Sequence, residues 1–159
     1  MVKMVKQMKV IVTSDSHGNI DVLKKIMEKE KNFDLFLDAG DSEVDAKTLY
    51  PIMSVRGNRD YLIENSFLVK ELSNVRFYVT HGAGYFFNVD YLVKNAKTLG
   101  CAIAIFGHTH MPFLKIIDGI AVLNPGSVSL PRGGSKPSYA IITYSNLNDI
   151  NIEIKEINF

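Results

Sequence analysis

The sequence predicts an α/β protein of two packed, mixed β-sheets with helices on the outside, and three features predict it. Short apolar, β-branched runs recur through the first two thirds of the chain, and each stops at a polar loop. Two of these loops lead into segments whose apolar residues recur at helical spacing. Beyond Phe113 the strands follow one another with no helix between them, so the last third reads as largely antiparallel. With 159 residues, 47% of them hydrophobic, the chain has the size and composition of one globular domain, residues 1–159.

Val10 to Val12, flanked by Met8 and Thr13, form the first strand, which stops at Ser14-Asp15-Ser16-His17-Gly18-Asn19. Asn19 caps a helix whose buried stripe is Ile20, Leu23, Ile26 and Met27, with Lys24, Lys25, Glu28 and Lys29 opposite. Leu35 to Leu37 run into Asp38-Ala39-Gly40-Asp41, and Ile52 to Val55 run into Arg56-Gly57-Asn58-Arg59-Asp60. Val75 to Thr80 deliver His81 and Gly82. Val89, Leu92, Val93, Ala96 and Leu99 then mark a helix that ends at Gly100. Ala102 to Phe106 end in Gly107-His108-Thr109-His110. Phe113 to Ile117 and Ile120 to Leu123 make a hairpin about Asp118-Gly119, and Tyr139 to Tyr144 with Ile150, Ile152 and Ile154 supply two final strands.

Eighteen Lys and Arg against seventeen Asp and Glu leave a net charge of +1, so no global basic field points to nucleic acid. The single cysteine, Cys101, has no partner for an internal disulfide and sits in an apolar run, which fits burial and a reducing compartment. The N-terminal stretch MVKMVKQMKVIVTS lacks a secretory core, and no window approaches the roughly 20 apolar residues a bilayer requires. A cytoplasmic location without membrane contact is therefore expected.

The polar loops carry the chemistry. Asp15 and His17, Asp41, Asn58, His81, then His108 and His110 each follow a strand, and in open α/β sheets such carboxyl-terminal loops converge on one volume. All four histidines of the chain lie there. Carboxylate, imidazole and amide oxygen together suit Mn²⁺, Fe²⁺, Co²⁺, Ni²⁺ or Zn²⁺, and the lack of thiolates argues against a structural zinc knuckle. Two divalent ions against the charges of Asp15 and Asp41 leave a positive excess that favours an anionic phosphate substrate. Ions held about 3.5–4 Å apart lower the pKa of a shared water and polarise phosphoryl oxygens.

The motifs Asp15-Ser16-His17, Gly40-Asp41, Gly57-Asn58-Arg59-Asp60, His81-Gly82 and Gly107-His108-Thr109-His110 stand in the order of the calcineurin-like metallophosphoesterase family, which the chain resembles. Its length and the Asn124-Pro125-Gly126-Ser127 stretch are most similar to the small YfcE-type phosphodiesterases, a group also similar to a retromer subunit. The resemblance implies a four-layer αββα sandwich and two divalent ions, with manganese favoured. One ion would take Asp15, His17, Asp41 and His110, and the other Asp41, Asn58, His81 and His108, with Asp41 bridging. It implies hydrolysis of small phosphodiesters by attack of a hydroxide shared between the ions. The wider family often has a histidine after the motif asparagine to protonate the leaving oxygen. Here that position is Arg59, a permanent cation suited to phosphate oxygens rather than to proton transfer.

Asn58 and Arg59 are thus the expected catalytic residues, and Arg59, Asn124, Gly126 and Arg132 the expected contacts to substrate. Each has a plainer reading. Asp15, Asp41, Asp60 and Asn58 are common turn residues, a lone His81 is ordinarily structural, and residues 124–134 also read as a long connection. Tyr85, Phe86 and Phe87 read as core or helix lead-in, with a stacked nucleobase the alternative. Three functions follow: a phosphodiesterase ahead of a phosphomonoesterase, a weakly catalytic or non-catalytic interaction scaffold like the retromer subunit, and a hydrolase of a different bond. A nucleotide substrate and a homo-oligomer both remain open as partners.

Overall fold

The computed structural model describes residues 6–84 and 87–159. Tyr85 and Phe86 lie outside the described residues, as do the first five residues of the N-terminal stretch. The elements are β1 (Met8–Thr13), α1 (Ile20–Lys29), β2 (Leu35–Asp38), α2 (Ala46–Leu49), β3 (Met53–Ser54), β4 (Phe67–Leu72) and β5 (Val75–Thr80). They continue with α3 (Val89–Thr98), β6 (Ile103–Ile105), β7 (Pro112–Ile117), β8 (Ile120–Pro125), β9 (Ser138–Tyr144) and β10 (Asn151–Glu156).

Two five-stranded sheets form, in the orders β10-β9-β1-β2-β3 and β4-β5-β6-β8-β7. Both are mixed. β1, β2 and β3 run parallel, as do β5, β6 and β8, while β4, β7, β9 and β10 add antiparallel pairings at the sides. Strand side chains alternate between faces, so an unbroken apolar run such as Val10-Ile11-Val12 signals burial on both. Val10 and Val12 pack between the sheets with Leu37, Phe77, Val79, Ile105 and Leu123. Ile11 and Phe36 face outward onto Leu23 and Ile26 of α1. In the second sheet Tyr78, Ala104 and Val122 face outward onto Leu92, Val93 and Ala96 of α3. Helix, sheet, sheet and helix are the four expected layers.

The helix starts follow from their caps. Asn19 Oδ1 accepts from Val22 N at 3.2 Å and Asn88 Oδ1 from Tyr91 N at 2.7 Å, each satisfying an amide that the first turn leaves without a partner. Phe87 packs against Phe106 at 5.6 Å between ring centroids, which gives this member of the aromatic trio a place in the outer core.

Two elements were not expected. The single turn α2 is capped by Asp45, whose carboxylate accepts from Thr48 N at 2.7 Å. β4 pairs with β5 along its whole length, from Phe67↔Thr80 to Leu72↔Val75. Ser73 and Asn74 join them with φ of 46° and 66°, the two-residue geometry that matches the twist of a hairpin. The run Ile52 to Val55 also shortens, because only Met53 and Ser54 pair with β2.

Candidate metal centre

The loops that leave β1, β2, β5, β6 and β8 meet at one edge of the sandwich, and main-chain hydrogen bonds fix how they meet. Asp15 N donates to Gly40 O at 3.0 Å, His17 N to Asp41 O at 2.9 Å and Gly18 N to Ser42 O at 2.8 Å, which binds the first two loops together. Gly107 N donates to His81 O at 3.0 Å and Arg132 N to His110 O at 3.1 Å, tying in the others. The loops also approach too closely for side chains at two glycines. A Cβ on Gly57 would overlap the carboxylate and amide of Asp41, and one on Gly107 would overlap Ser14 Oγ.

Asp15, His17, Asp41, His108 and His110 have φ of 53°, 46°, 57°, 69° and 60°, in the left-handed region that L-residues seldom occupy. Each such residue costs about 1–3 kcal/mol and persists only where its surroundings over-determine it. Five of the seven expected donors therefore sit in the left-handed region, which turn residues such as Ser73 and Asn74 also occupy.

The donors converge. His17 Nε2 lies 3.3 Å from His110 Nε2. Asp15 Oδ1 is 3.2 Å from His110 Nε2, 3.8 Å from His17 Nε2 and 3.9 Å from His81 Nε2. That oxygen is buried and has no hydrogen-bond partner, although its twin Oδ2 accepts from Ser14 Oγ at 2.6 Å and His108 N at 3.1 Å. Asp41 Oδ2 is 3.3 Å from His81 Nε2, and Asn58 Oδ1 is 3.0 Å from His81 Nε2 and 3.3 Å from His108 Nδ1. Two groups of donor atoms lie within 4.8 Å of one another, Asp15–His17–His110 and Asp15–Asp41–His81. Asp15 is common to both, whereas the family resemblance assigns the shared position to Asp41.

Neighbouring groups aim the imidazoles. A carbonyl only accepts, so His81 Nδ1 donates to Ala39 O at 2.7 Å and His110 Nδ1 to Leu130 O at 2.6 Å. In the neutral rings this turns both Nε2 lone pairs toward the centre. Asp60, read from sequence as a turn residue, anchors the second loop: its carboxylate accepts from Asp41 N and Glu43 N at 2.8 Å each and from Gly57 N at 2.7 Å. Asp38 does the same from below, accepting from Gly40 N, Thr13 Oγ1 and Ser54 Oγ. The signal for Asp60 was its place three residues after Gly57; nothing marked Asp38 out.

Arg59 and Arg132 stand on the walls of a cavity of about 150 Å³ that reaches His17, Asp41, Asn58, His108 and His110. Arg59 N also donates to Asp41 Oδ1 at 2.7 Å. Asn124 and Gly126 are not brought to that cavity. Asn124 is fully buried, its amide donates to Gly107 O and Thr109 Oγ1 at 3.0 Å each, and its oxygen accepts from Gly126 N at 2.9 Å. The physical reason is that Asn124 lies on β8 beside β6, so its side chain holds the Gly107–Thr109 turn instead of facing solvent.

Charge in the site is unevenly set. Burial pushes the Asp41 carboxyl up, but the His81 ring and the Arg59 amide outweigh it and hold it below the usual carboxylate range. Burial pushes His81 down, while Asp41 and Asp15 reverse that and raise it. His108 is held low by burial and by the neighbouring His81. The donor chemistry fits divalent cations: a buried carboxylate oxygen without a partner and two imidazole nitrogens in van der Waals contact are the arrangement a cation between them relieves.

Known proteins share this sequence pattern and fold. The calcineurin-like phosphoesterase superfamily domain matches residues 8–147. The probable metallophosphoesterase YsnB of Bacillus subtilis is 34% identical over 148 residues, covering 87% of this chain and 86% of that protein. Phosphodiesterase YfcE of Escherichia coli is 25% identical over 180 residues, covering 94% and 95%. The crystal structure of a predicted phosphoesterase from Streptococcus pneumoniae superposes with a TM-score of 0.82 at 29% identity, over 95% of this chain and 90% of that one. Vacuolar protein sorting 29 of Cryptosporidium parvum shares the fold, with a TM-score of 0.73 at 15% identity over 96% and 99%. The order of the motifs, the two mixed sheets and these matches together mean that the chain belongs to the calcineurin-like phosphoesterases, a family of metal-dependent enzymes.

Proposed function

We propose that this single-domain protein is a binuclear metal-dependent phosphodiesterase of the cytoplasm that hydrolyses small phosphodiesters. The observation that carries the proposal is the meeting of His17 Nε2, His110 Nε2 and the unpartnered Asp15 Oδ1 within 3.2 to 3.8 Å. Asp15, His17 and His110, with Asp41, would hold one ion, and Asp41, Asn58, His81 and His108 the other, with manganese favoured over nickel, cobalt, iron and zinc. Such ions, when bound, lower the pKa of a water and neutralise charge on phosphate.

The protein's own residues supply the rest. Arg59 and Arg132, both on the cavity wall, would offer guanidinium forks to the non-bridging phosphoryl oxygens. A guanidinium is a poor proton donor, so the leaving oxygen would depart as an anion or take its proton from water, which favours aryl and nucleoside esters. The intact donor set argues against a purely structural scaffold, since docking alone gives no reason to bring its residues together. The likeness to vacuolar protein sorting 29 rests on the fold only.

The test is hydrolysis of bis-aryl phosphodiester and aryl monoester by metal-stripped protein refilled with Mn²⁺, Ni²⁺, Co²⁺ or Zn²⁺, beside Asp41→Ala. Metal-dependent diester turnover that is lost in the variant is expected. Turnover that ignores metal and survives Asp41→Ala overturns the mechanism. Arg59→His should selectively accelerate alkyl diesters; equal effects on alkyl and aryl esters overturn the account of Arg59.

A further inference from the structure

We infer that one arm of the diester is a nucleoside, whose base binds in an aromatic pocket on the outer face of the second sheet. The inference rests on the phosphodiesterase reading for its chemistry and on a separate cavity for its location. The metal cavity holds about 150 Å³ and its lining is polar apart from Leu130, so it suits a phosphoryl group better than an organic arm. A second hollow of about 210 Å³ shares Asn58 with it and extends past Thr80, Gly82 and Ala83. Those three residues also line a third, of about 420 Å³, which reaches Tyr78, Phe87, Tyr91 and Asn95. The three hollows are thus neighbours through shared residues, in a series that runs from Asn58 at the metal centre to Tyr91 at the start of α3.

The far end has the chemistry of a base pocket. Tyr78, Phe87 and Tyr91 supply aromatic surface, and Tyr91 is 56% exposed, so a stacked ligand would bury apolar area that solvent now covers. Asn95 Nδ2 donates to the Tyr78 hydroxyl at 3.5 Å, a contact long enough for the polar edge of a ligand to displace. Amide, phenol and the Thr80 hydroxyl, which donates to Ser66 O at 3.3 Å, set polar groups beside the aromatic surface, and this mixture suits a heteroaromatic edge better than an acyl chain. Among the described residues the pocket has no carboxylate or cation in its lining, which suits an uncharged base.

Two substrates that share a leaving group isolate the arm: thymidine 5′-(p-nitrophenyl phosphate) and methyl p-nitrophenyl phosphate, each with Mn²⁺-loaded protein. The expected result is a kcat/KM at least about tenfold higher for the thymidine ester, carried mostly by KM, because stacking of one base is worth that much. Tyr91→Ala and Ala83→Trp should each remove most of that preference, and Tyr91→Phe should retain it. In metal-free protein, adenosine 5′-monophosphate should shift the amide resonances of Gly82, Ala83, Tyr91 and Asn95. Equal kcat/KM for the two esters, or a preference untouched by Tyr91→Ala and Ala83→Trp, overturns the pocket and leaves the phosphodiesterase standing. Loss of turnover on both esters overturns the phosphodiesterase, and the resonance shifts then decide the pocket alone.

Discussion

His17 Nε2 and His110 Nε2 face each other across 3.3 Å although they are separated by 93 positions in the chain. His110 donates its other nitrogen to Leu130 O, so its Nε2 lone pair points at the partner ring. In the tautomer that leaves His17 Nε2 unprotonated, two lone pairs at that distance repel, and a cation between them would convert repulsion into two bonds. Divalent metal should therefore stabilise the fold and not merely activate it. At a free concentration of Mn²⁺ one hundred times its Kd, binding contributes about 2.7 kcal/mol, which for a chain of this size raises Tm by about 5–10 °C. Thermal melting with Mn²⁺ and then with excess chelator measures it. His110→Ala should lose most of the shift, and an unchanged Tm in the unaltered protein would count against the centre.

Gly57 shows why the loops need glycine at particular points. Its Cα lies against the Asp41 carboxylate and amide, so a methyl group there must displace one of them. Gly57→Ala should lower metal affinity by about 10–100-fold, the range seen when groups that orient ligands are disturbed. Isothermal titration with Mn²⁺ reads it, and an affinity equal to that of the unaltered protein would mean that the loop yields freely. Gly18 is the control, because a Cβ there meets nothing within 4 Å, although its φ of 81° makes any replacement mildly strained.

Asn124 separates a substrate contact from a buckle. With its amide spent on Gly107 O and Thr109 Oγ1, Asn124→Ala leaves the Gly107 carbonyl without that donor in a buried place, at a cost of about 1–3 kcal/mol. Denaturant unfolding should report that loss in metal-free protein, where no substrate is involved. A variant as stable as the parent but with a raised KM would restore Asn124 to the substrate.

How much of this was legible in the sequence depends on what each residue's neighbours are. Asp15, Asp41 and His81 could be read as candidate donors because each stands where an apolar strand such as Leu35–Asp38 or Val75–Thr80 abruptly ends. β4 could not, because Phe67-Leu-Val-Lys-Glu-Leu lies at a sheet edge, where Lys70 and Glu71 are tolerated and the period-two signal blurs. Its turn, Ser73-Asn74, lacks the glycine that betrays Asp118-Gly119 in the other hairpin. Asp38 and Asp60 escaped for a different reason. They hold main-chain amides in place, and in sequence such an aspartate looks like any turn residue. Asn124 misled in the opposite direction, since only the packing of β8 beside β6 shows that its amide points inward.

Asp38 gives the remaining prediction. It is completely buried, and burial pushes its carboxyl from the ordinary value up to about 6, against the hydrogen bonds from Thr13, Ser54 and Gly40 that favour the anion. A carboxyl whose pKa is raised by folding binds its proton more tightly in the folded protein than in the unfolded one. Its favourable contribution is thus complete below the unfolded pKa of 3.8 and is lost as pH rises through about 6. Asp38→Asn keeps a neutral group of the same shape at every pH, and the Thr13 hydroxyl can turn to accept from the new amide. In metal-stripped protein the variant and the parent should have similar stability at pH 4. At pH 8 the variant should be the more stable, by up to about 3 kcal/mol. Unfolding free energies across pH 4 to 8 give the difference curve, which should rise between pH 4 and 6 and then level off. A flat curve would mean that the buried carboxylate is ionised at no cost. A curve that falls with pH would reverse the sign of the linkage.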